Sequence, residues 1–224
     1  MTEHQESIQC LLGWEIPNEK KDGYIIDLEK QAWHLTLSCF SANIEVVKLL
    51  LKHCDVKCID GFLHSYRTPL VAACLVGVQS VVDELIRFGA CINRQCIIMT
   101  PLYAASAAGH ADVVDLLIKK GAFYNKKNVC GETPLYAASK DGHKDVVDLL
   151  LKCGADCNKI NGLRMTPLHA ASMAGHEDIV DMLIKAGADC NKIDDIGITP
   201  LYAPSEACLL YTSDAADDMP CVDL

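Results

Sequence analysis

The sequence predicts an all-α solenoid, made of stacked helix-turn-helix units joined by β-hairpin-like loops. Three observations carry that prediction. The run Thr100-Pro101-Leu102-Tyr103-Ala104-Ala105-Ser106 returns as Thr133-Pro134-Leu135-Tyr136-Ala137-Ala138-Ser139 and again as Thr166-Pro167-Leu168-His169-Ala170-Ala171-Ser172. The step is 33 residues each time, and Thr199-Pro200-Leu201-Tyr202-Ala203 opens a further copy at the same step. Each complete copy then passes through a Gly-His pair and an aliphatic run, and the later ones close in Gly154-Ala155-Asp156-Cys157-Asn158 and Gly187-Ala188-Asp189-Cys190-Asn191. Self-similarity at a fixed period of this size marks a stacked-repeat protein.

Each residue type has a local task. Thr100, Thr133, Thr166 and Thr199 stand where a hydroxyl accepts from a free backbone N–H in the first turn of a helix. The proline after each occupies the first helical position, where no backbone donor is needed. Leucine and the small Ala-Ala pair let this short first helix lie close to its neighbour. Gly109, Gly142 and Gly175 end it, because glycine tolerates the left-handed turn. Val113-Val114 and Leu116-Leu117 then place a second helix's apolar face at core spacing. Its outer side pairs Asp115 with Lys119, Asp148 with Lys152 and Asp181 with Lys185, each worth ~0.2–0.5 kcal/mol in an isolated helix. Asp112, Asp145 and Asp178 sit near the positive end of the same helix.

A 33-residue unit with T-P-L-H-x-A-A, then G-H, then an aliphatic run closing in G-A-D-x-N, resembles the ankyrin repeat. The resemblance runs from about Trp33 to Ala207. It implies a scaffold, which by itself is only a general guide to function. In that family the segment at Cys157 and Cys190 usually carries a small buried aliphatic, and a reduced thiol behaves as one.

Taken in order, residues 1–32 read as an N-terminal cap or degenerate half repeat. Ser7-Ile8-Gln9-Cys10-Leu11-Leu12-Gly13 suits the second helix of such a unit, or else an unrelated helical appendage, and Asp22-Gly23 signals a turn. Repeats occupy residues 33–207, with starts near 33, 68, 100, 133 and 166 and a truncated one at 199. The first opens degenerately, Trp33-His34-Leu35 standing where Thr-Pro-Leu belongs, yet Ile44-Glu45-Val46-Val47 aligns with Ala111-Asp112-Val113-Val114 without a gap. The second, at Thr68-Pro69-Leu70, reaches Thr100 in 32 residues, so its hairpin at 93–99 is one residue short. Residues 208–224 are expected to be artefactual. Leu209-Leu210-Tyr211-Thr212-Ser213-Asp214-Ala215-Ala216-Asp217 back-translates to a stretch that looks like the adapter of short-read library preparation. A genuine acidic tail is the alternative.

Composition narrows the function classes. Half of the 224 residues are apolar, which suits stacked helices and argues against disorder. No apolar run approaches the ~18 residues of a membrane span, and the polar, acidic start shows no secretory pattern. The expectation is a soluble cytoplasmic protein, with the nucleus also open to it, and no membrane insertion. A net charge of −10 argues against nucleic acid as partner. The 13 cysteines are an odd number, and Cys157 and Cys190 repeat one position, so reduced thiols are expected rather than a disulfide framework.

No enzymatic constellation emerges. Carboxylates that recur once per repeat describe a solvated face, since an active site does not repeat. His110, His143 and His176 form a row, but stacked helices lie ~8–10 Å apart and zinc–nitrogen bonds are ~2.0–2.1 Å. They are expected to be structural, bonded to neighbouring backbone. His53, Cys54, Cys58 and His64 form the one cluster with metal character, at a spacing that fits no standard zinc pattern. There is no phosphate-binding glycine loop, no G-x-S-x-G and no H-E-x-x-H. The expectation is therefore no catalytic residue, metal, cofactor or small-molecule substrate.

The resemblance implies that hairpin tips and the exposed side of the first helices line a concave surface that grips a partner protein. By position in the repeat, the candidates are Arg94, Cys96, Ile97, Met99, Ala107 and Ala108 in one unit, and Lys127, Val129, Cys130, Glu132, Lys140 and Asp141 in the next. Ile160, Leu163, Met165, Met173 and Ala174 follow, then Ile193, Asp195, Ile196 and Ile198. Apolar members suit an interaction site, and the polar middle would set register; the alternative is that some pack on the adjacent hairpin. Arg164 stands where the hairpin glycine is usual, displaced here to Gly162, so that hairpin is expected to bend differently. Asn158 and Asn191 resemble the asparagines that intracellular hydroxylases modify in this family; a structural role is the alternative. The rival function is the targeting arm of a larger kinase, ubiquitin-ligase adaptor or channel.

Overall fold

The computed structural model describes residues 28–54, 59–60, 68–96 and 99–202. Among them are ten helices: α1 (Leu28–Phe40), α2 (Ile44–His53), α3 (Pro69–Val76), α4 (Gln79–Arg87), α5 (Pro101–Ala107), α6 (Ala111–Lys119), α7 (Pro134–Lys140), α8 (Lys144–Lys152), α9 (Pro167–Ala174) and α10 (Glu177–Lys185). They form five pairs, and like stacks on like. The odd-numbered helices form one row, α1 on α3, α3 on α5, α5 on α7 and α7 on α9, while the even-numbered helices form a second row behind it.

The threonine caps form as the sequence predicts. Thr68, Thr100, Thr133 and Thr166 accept from the backbone N–H three residues on, at 3.1–3.3 Å, with proline in the first turn of each helix. The leucine two residues after each threonine is buried, as are the aliphatic pair and the following leucine of α4, α6, α8 and α10. Each such leucine contributes ~1.5–3 kcal/mol relative to exposure. Leu116 packs on this core from a half-buried position. The three predicted Asp–Lys pairs close on the outer face at 2.5–2.6 Å. Lys120 with Asp83 and Lys144 with Asp178 add pairs between neighbouring units. All are exposed, so water screens them and each is worth little.

Unit one departs from the pattern in a way that alignment alone hides. α1 spans 13 residues and begins at Leu28, so it runs through the expected start near 33. Ala42 takes a left-handed φ of 58° where Gly109, Gly142 and Gly175 do so in later units. The rest of the expected cap, residues 1–27, and the tail at 208–224 lie outside the described residues.

Ser106, Ser139 and Ser172 occupy one core position in successive units, and their buried hydroxyls have no hydrogen-bond partner. A buried polar group left unpaired costs ~1–3 kcal/mol. Replacing Ser139 by alanine is therefore expected to stabilise the array by about 1 kcal/mol, read as a higher urea midpoint. A lower midpoint would mean that the hydroxyl is satisfied in solution.

Candidate partner-binding surface

From the second unit on, three kinds of contact recur between neighbouring units, and they decide which side chains are engaged within the array. The first is the histidine row. The Nε2–H of His110 donates to the carbonyl of Leu75 at 3.0 Å, that of His143 to Ala107 at 2.9 Å and that of His176 to Lys140 at 3.1 Å. Each ring lies against the glycine that ends the preceding first helix. A Cβ on Gly109 would sit 2.5 Å from the His143 ring, so that position needs glycine for room as well as for its φ of 79°. The expected backbone-bonded role of these histidines is what the structure holds.

The second contact is an asparagine ladder. Asn93, Asn125 and Asn158 each accept, through Oδ1, the backbone N–H of Phe123, Asp156 and Asp189 in the following unit. Asn158 also donates to the carbonyl of Gly187 at 3.0 Å. Its side chain is thus engaged structurally.

The third contact runs from the first helix to the next hairpin. Tyr103 donates its phenol to the Glu132 carboxylate at 2.6 Å. Burial first, then that carboxylate, push the phenol's pKa up. His169 occupies the equivalent position two units on and is buried. Its Nδ1 accepts from the Thr166 N–H at 3.1 Å and pairs with the Thr166 hydroxyl at 2.8 Å, while Nε2–H donates to the Ile198 carbonyl at 3.2 Å. That pattern fixes the neutral tautomer. Burial lowers the ring's pKa from the usual 6.5, opposed by the Ile198 carbonyl and Asp194.

The hairpins share one construction. Asn128, Asn161 and Asp194 each accept two backbone N–H groups of their own loop, at 2.8–3.0 Å. Asn128 N–H to Glu132 carbonyl, Asn161 to Met165 and Asp194 to Ile198 close them. Neighbouring hairpins join through Gly162 N–H to Cys130 O at 2.8 Å and Asp195 N–H to Leu163 O at 3.2 Å. This corrects the expectation for the middle hairpin, which does not bend differently. Arg164 adopts φ 60° where Gly131 and Gly197 adopt 77° and 82°, so the geometry is kept and the strain falls on one side chain. Gly162 supplies space instead, since a Cβ there would lie 3.0 Å from Cys130 O.

These contacts sort the candidates. Val129, Leu163, Met173, Ile193 and Ile196 are large exposed apolar side chains, Ile196 at 74% and Met173 at 59%. Lys127, Lys140, Asp141, Cys130, Ala174 and Asp195 are exposed beside them. Ile160, Met165, Ile198, Arg94, Ala107 and Ala108 are half-buried. Met99 packs on the core. Two candidates face inward: Cys96 is buried with its thiol on the Met99 carbonyl, and Glu132 is held by Tyr103 and Asn128. Ile97 lies outside the described residues. Phe40 was missed by the sequence reading; it is exposed at the helix position that Ala107, Lys140 and Met173 share, and the ungapped alignment of unit one was the signal that could have found it.

No group of three or more His, Cys, Asp or Glu able to hold a metal occurs among the described residues. His53 is exposed and Cys54 half-buried, while Cys58 and His64 lie outside the described residues. Cys39, Cys74, Cys91, Cys96, Cys130, Cys153 and Cys157 are reduced thiols, and burial pushes Cys39 up to about 12. No described helix is long and apolar enough to cross a membrane.

Rows of capped helix pairs, latched by histidine and asparagine, define a repeat scaffold. The family model described as ankyrin repeats (3 copies) matches residues 35–128 and 124–194, and the chain belongs to the ankyrin-repeat family. Comparison with curated proteins gave no match. Ankyrin repeats generally mediate protein–protein interactions and are typically non-catalytic.

Two measurements test these junctions. Arg164→Gly is expected to raise stability by up to about 1 kcal/mol, because relief of the left-handed strain exceeds glycine's added chain entropy; a lower denaturation midpoint would show that the arginine side chain compensates. For His169, the folded pKa lies below the unfolded one, so acid favours the unfolded chain. Its contribution is full above pH ~6.5 and falls as pH drops through that value toward the folded pKa. Chemical denaturation at pH 7.5 and 5.5 should show a smaller acid loss in His169→Tyr than in the parent, and equal losses would overturn the assignment.

Proposed function

We propose that the hairpin tips and the exposed side of the first-helix row form a concave surface that binds a segment of another protein. Val129, Leu163, Met173, Ile193 and Ile196 anchor it, and Lys127, Lys140 and Asp141 set its register by charge. The observation that carries this reading is one of placement. Large apolar side chains stay exposed on successive hairpins, while the aliphatic residues of the second helices are consumed by the core. Exposed apolar side chains recurring on neighbouring hairpins suit an interaction site, and an unbranched methionine adapts to varied partners.

The net charge of −10 supports a polypeptide rather than a nucleic-acid backbone. A cytoplasmic or nuclear setting suits the free thiols. The same surface serves a free-standing array or the targeting arm of a larger kinase, ligase adaptor or channel.

The test is selection of peptides against the intact chain, followed by affinity measurement on variants. Leu163→Asp and Met173→Asp are each expected to cost about 2 kcal/mol, roughly 30-fold in affinity, with the thermal midpoint unchanged. Lys152→Ala on the opposite face should leave affinity as it was. Equal binding by all three variants refutes the surface.

A further inference from the structure

From the second unit on, the cations of the array divide by whether the array itself uses them. Lys119, Lys120, Lys144, Lys152 and Lys185 each close on an aspartate, and Arg87 lies 3.7 Å from Glu84. In the loops after the second helices, Lys126 and Lys192 donate to the carbonyls of Asn93 and Asn158, and Lys159 lies 3.6 Å from Asp156. Arg94 is engaged as well. Lys127, Lys140 and Arg164 are left: they are exposed, and among the described residues their charged groups have no hydrogen-bond or ion-pair partner.

These cations stand on the tip side. Lys127 and Arg164 belong to successive hairpins, which the bond from the Gly162 N–H to the Cys130 carbonyl holds side by side. Lys140 ends α7, the first helix that lies between those hairpins in the chain. Arg164 carries a further mark. Its φ of 60° is a conformation that the sister hairpins give to glycine, so the arginine is held under strain. Strained backbone gathers at sites that hold a ligand, and no contact among the described residues accounts for this side chain.

The setting of the charges says what kind of anion fits. Val129 shares a hairpin with Lys127, Leu163 precedes Arg164, and Met173 ends its helix one unit after Lys140; all three apolar side chains are exposed. Asp141 and Asp195 are exposed on the same side. A phosphate-dense polymer or an anionic membrane would be repelled by those carboxylates. A peptide avoids them with a neutral or basic residue and places single carboxylates only where the cations stand. Stacked units lie ~8–10 Å apart and an extended chain rises ~3.3 Å per residue, so about three residues of peptide span one unit.

Given the binding surface proposed above, on which this rests, we propose that its partner is an acidic and apolar segment of another protein, extended along the tips. Its carboxylates pair with Lys127, Lys140 and Arg164, and its apolar residues sit on Val129 and Leu163.

The probe is a random linear peptide library selected against the intact chain. Recovered peptides should carry an excess of aspartate and glutamate, about three residues apart, with apolar residues between. Arg164→Gly restores the residue of the sister hairpins and should weaken a recovered peptide about fivefold. Lys127→Glu with Arg164→Glu should weaken it by about tenfold and turn selection towards lysine and arginine. Lys152→Glu with Lys185→Glu, equal in net charge on the opposite face, should do neither. Peptides without an acidic excess, or acidic ones that bind the Lys127→Glu, Arg164→Glu chain as well as the parent, overturn the charge assignment even where Leu163→Asp abolishes capture. Capture that ignores Leu163→Asp removes the surface itself. Flotation with phosphatidylserine vesicles that Arg164→Gly abolishes overturns the proposal in favour of a membrane. Should the double reversal unfold the chain, the Arg164→Gly loss decides alone.

Discussion

A side chain from one unit closing onto the backbone of the unit before it is the constraint from which the rest of this structure follows. Each histidine ring lies on a left-handed glycine and donates to the last carbonyls of a short helix, groups that would otherwise have no partner inside the helix. The contact does three things at once. It fixes the separation of neighbouring first helices, it satisfies a helix end, and it forbids any side chain on the glycine. The asparagine ladder does the same work at the other end of the second helix, and the Tyr103 or His169 link does it at the hairpin. Between them these bonds leave the hairpin tips and one side of the first-helix row without internal obligations.

That division of labour explains why the polar content of the array is rich and yet gathers no metal-binding group of three or more His, Cys, Asp or Glu among the described residues. His110, His143 and His176 are spent one at each of three junctions, each donating to a backbone carbonyl. The recurring aspartates sit on the solvated second-helix face, paired with lysines at one-turn spacing. The thiols of Cys39 and Cys74 are buried and held protonated by that burial. What varies from unit to unit without harming a junction is the set of side chains at the tips, the set that the proposed function assigns to a partner.

Departures from the pattern show where the scaffold tolerates strain. Arg164 and Ala42 take left-handed backbone where sister units use glycine. The hydrogen bonds around Arg164 match those around Gly131 closely, 3.1 against 3.0 Å for the bond to the loop asparagine. Neighbouring hairpins bonded on both sides hold the loop in place, so the cost is absorbed without a change of path. Three unpaired serine hydroxyls in the core are a second such cost, repeated because the unit that carries them was repeated.

Period, capping threonines, helix-ending glycines and core leucines were all legible in the sequence, because each is enforced within a dozen residues by backbone geometry and burial. The structural fate of His110, His143 and His176 was legible too, since spacing alone kept the rings apart. Which hairpin side chains point outward was not. Glu132 and Cys96 turn inward because Tyr103 and the Met99 carbonyl, brought beside them by the packing of one unit on the next and by the closure of a loop, claim their polar atoms. Sequence determined the unit, since a unit is local physics; only the tertiary structure decided the surface, since a surface is whatever the neighbours leave uncovered.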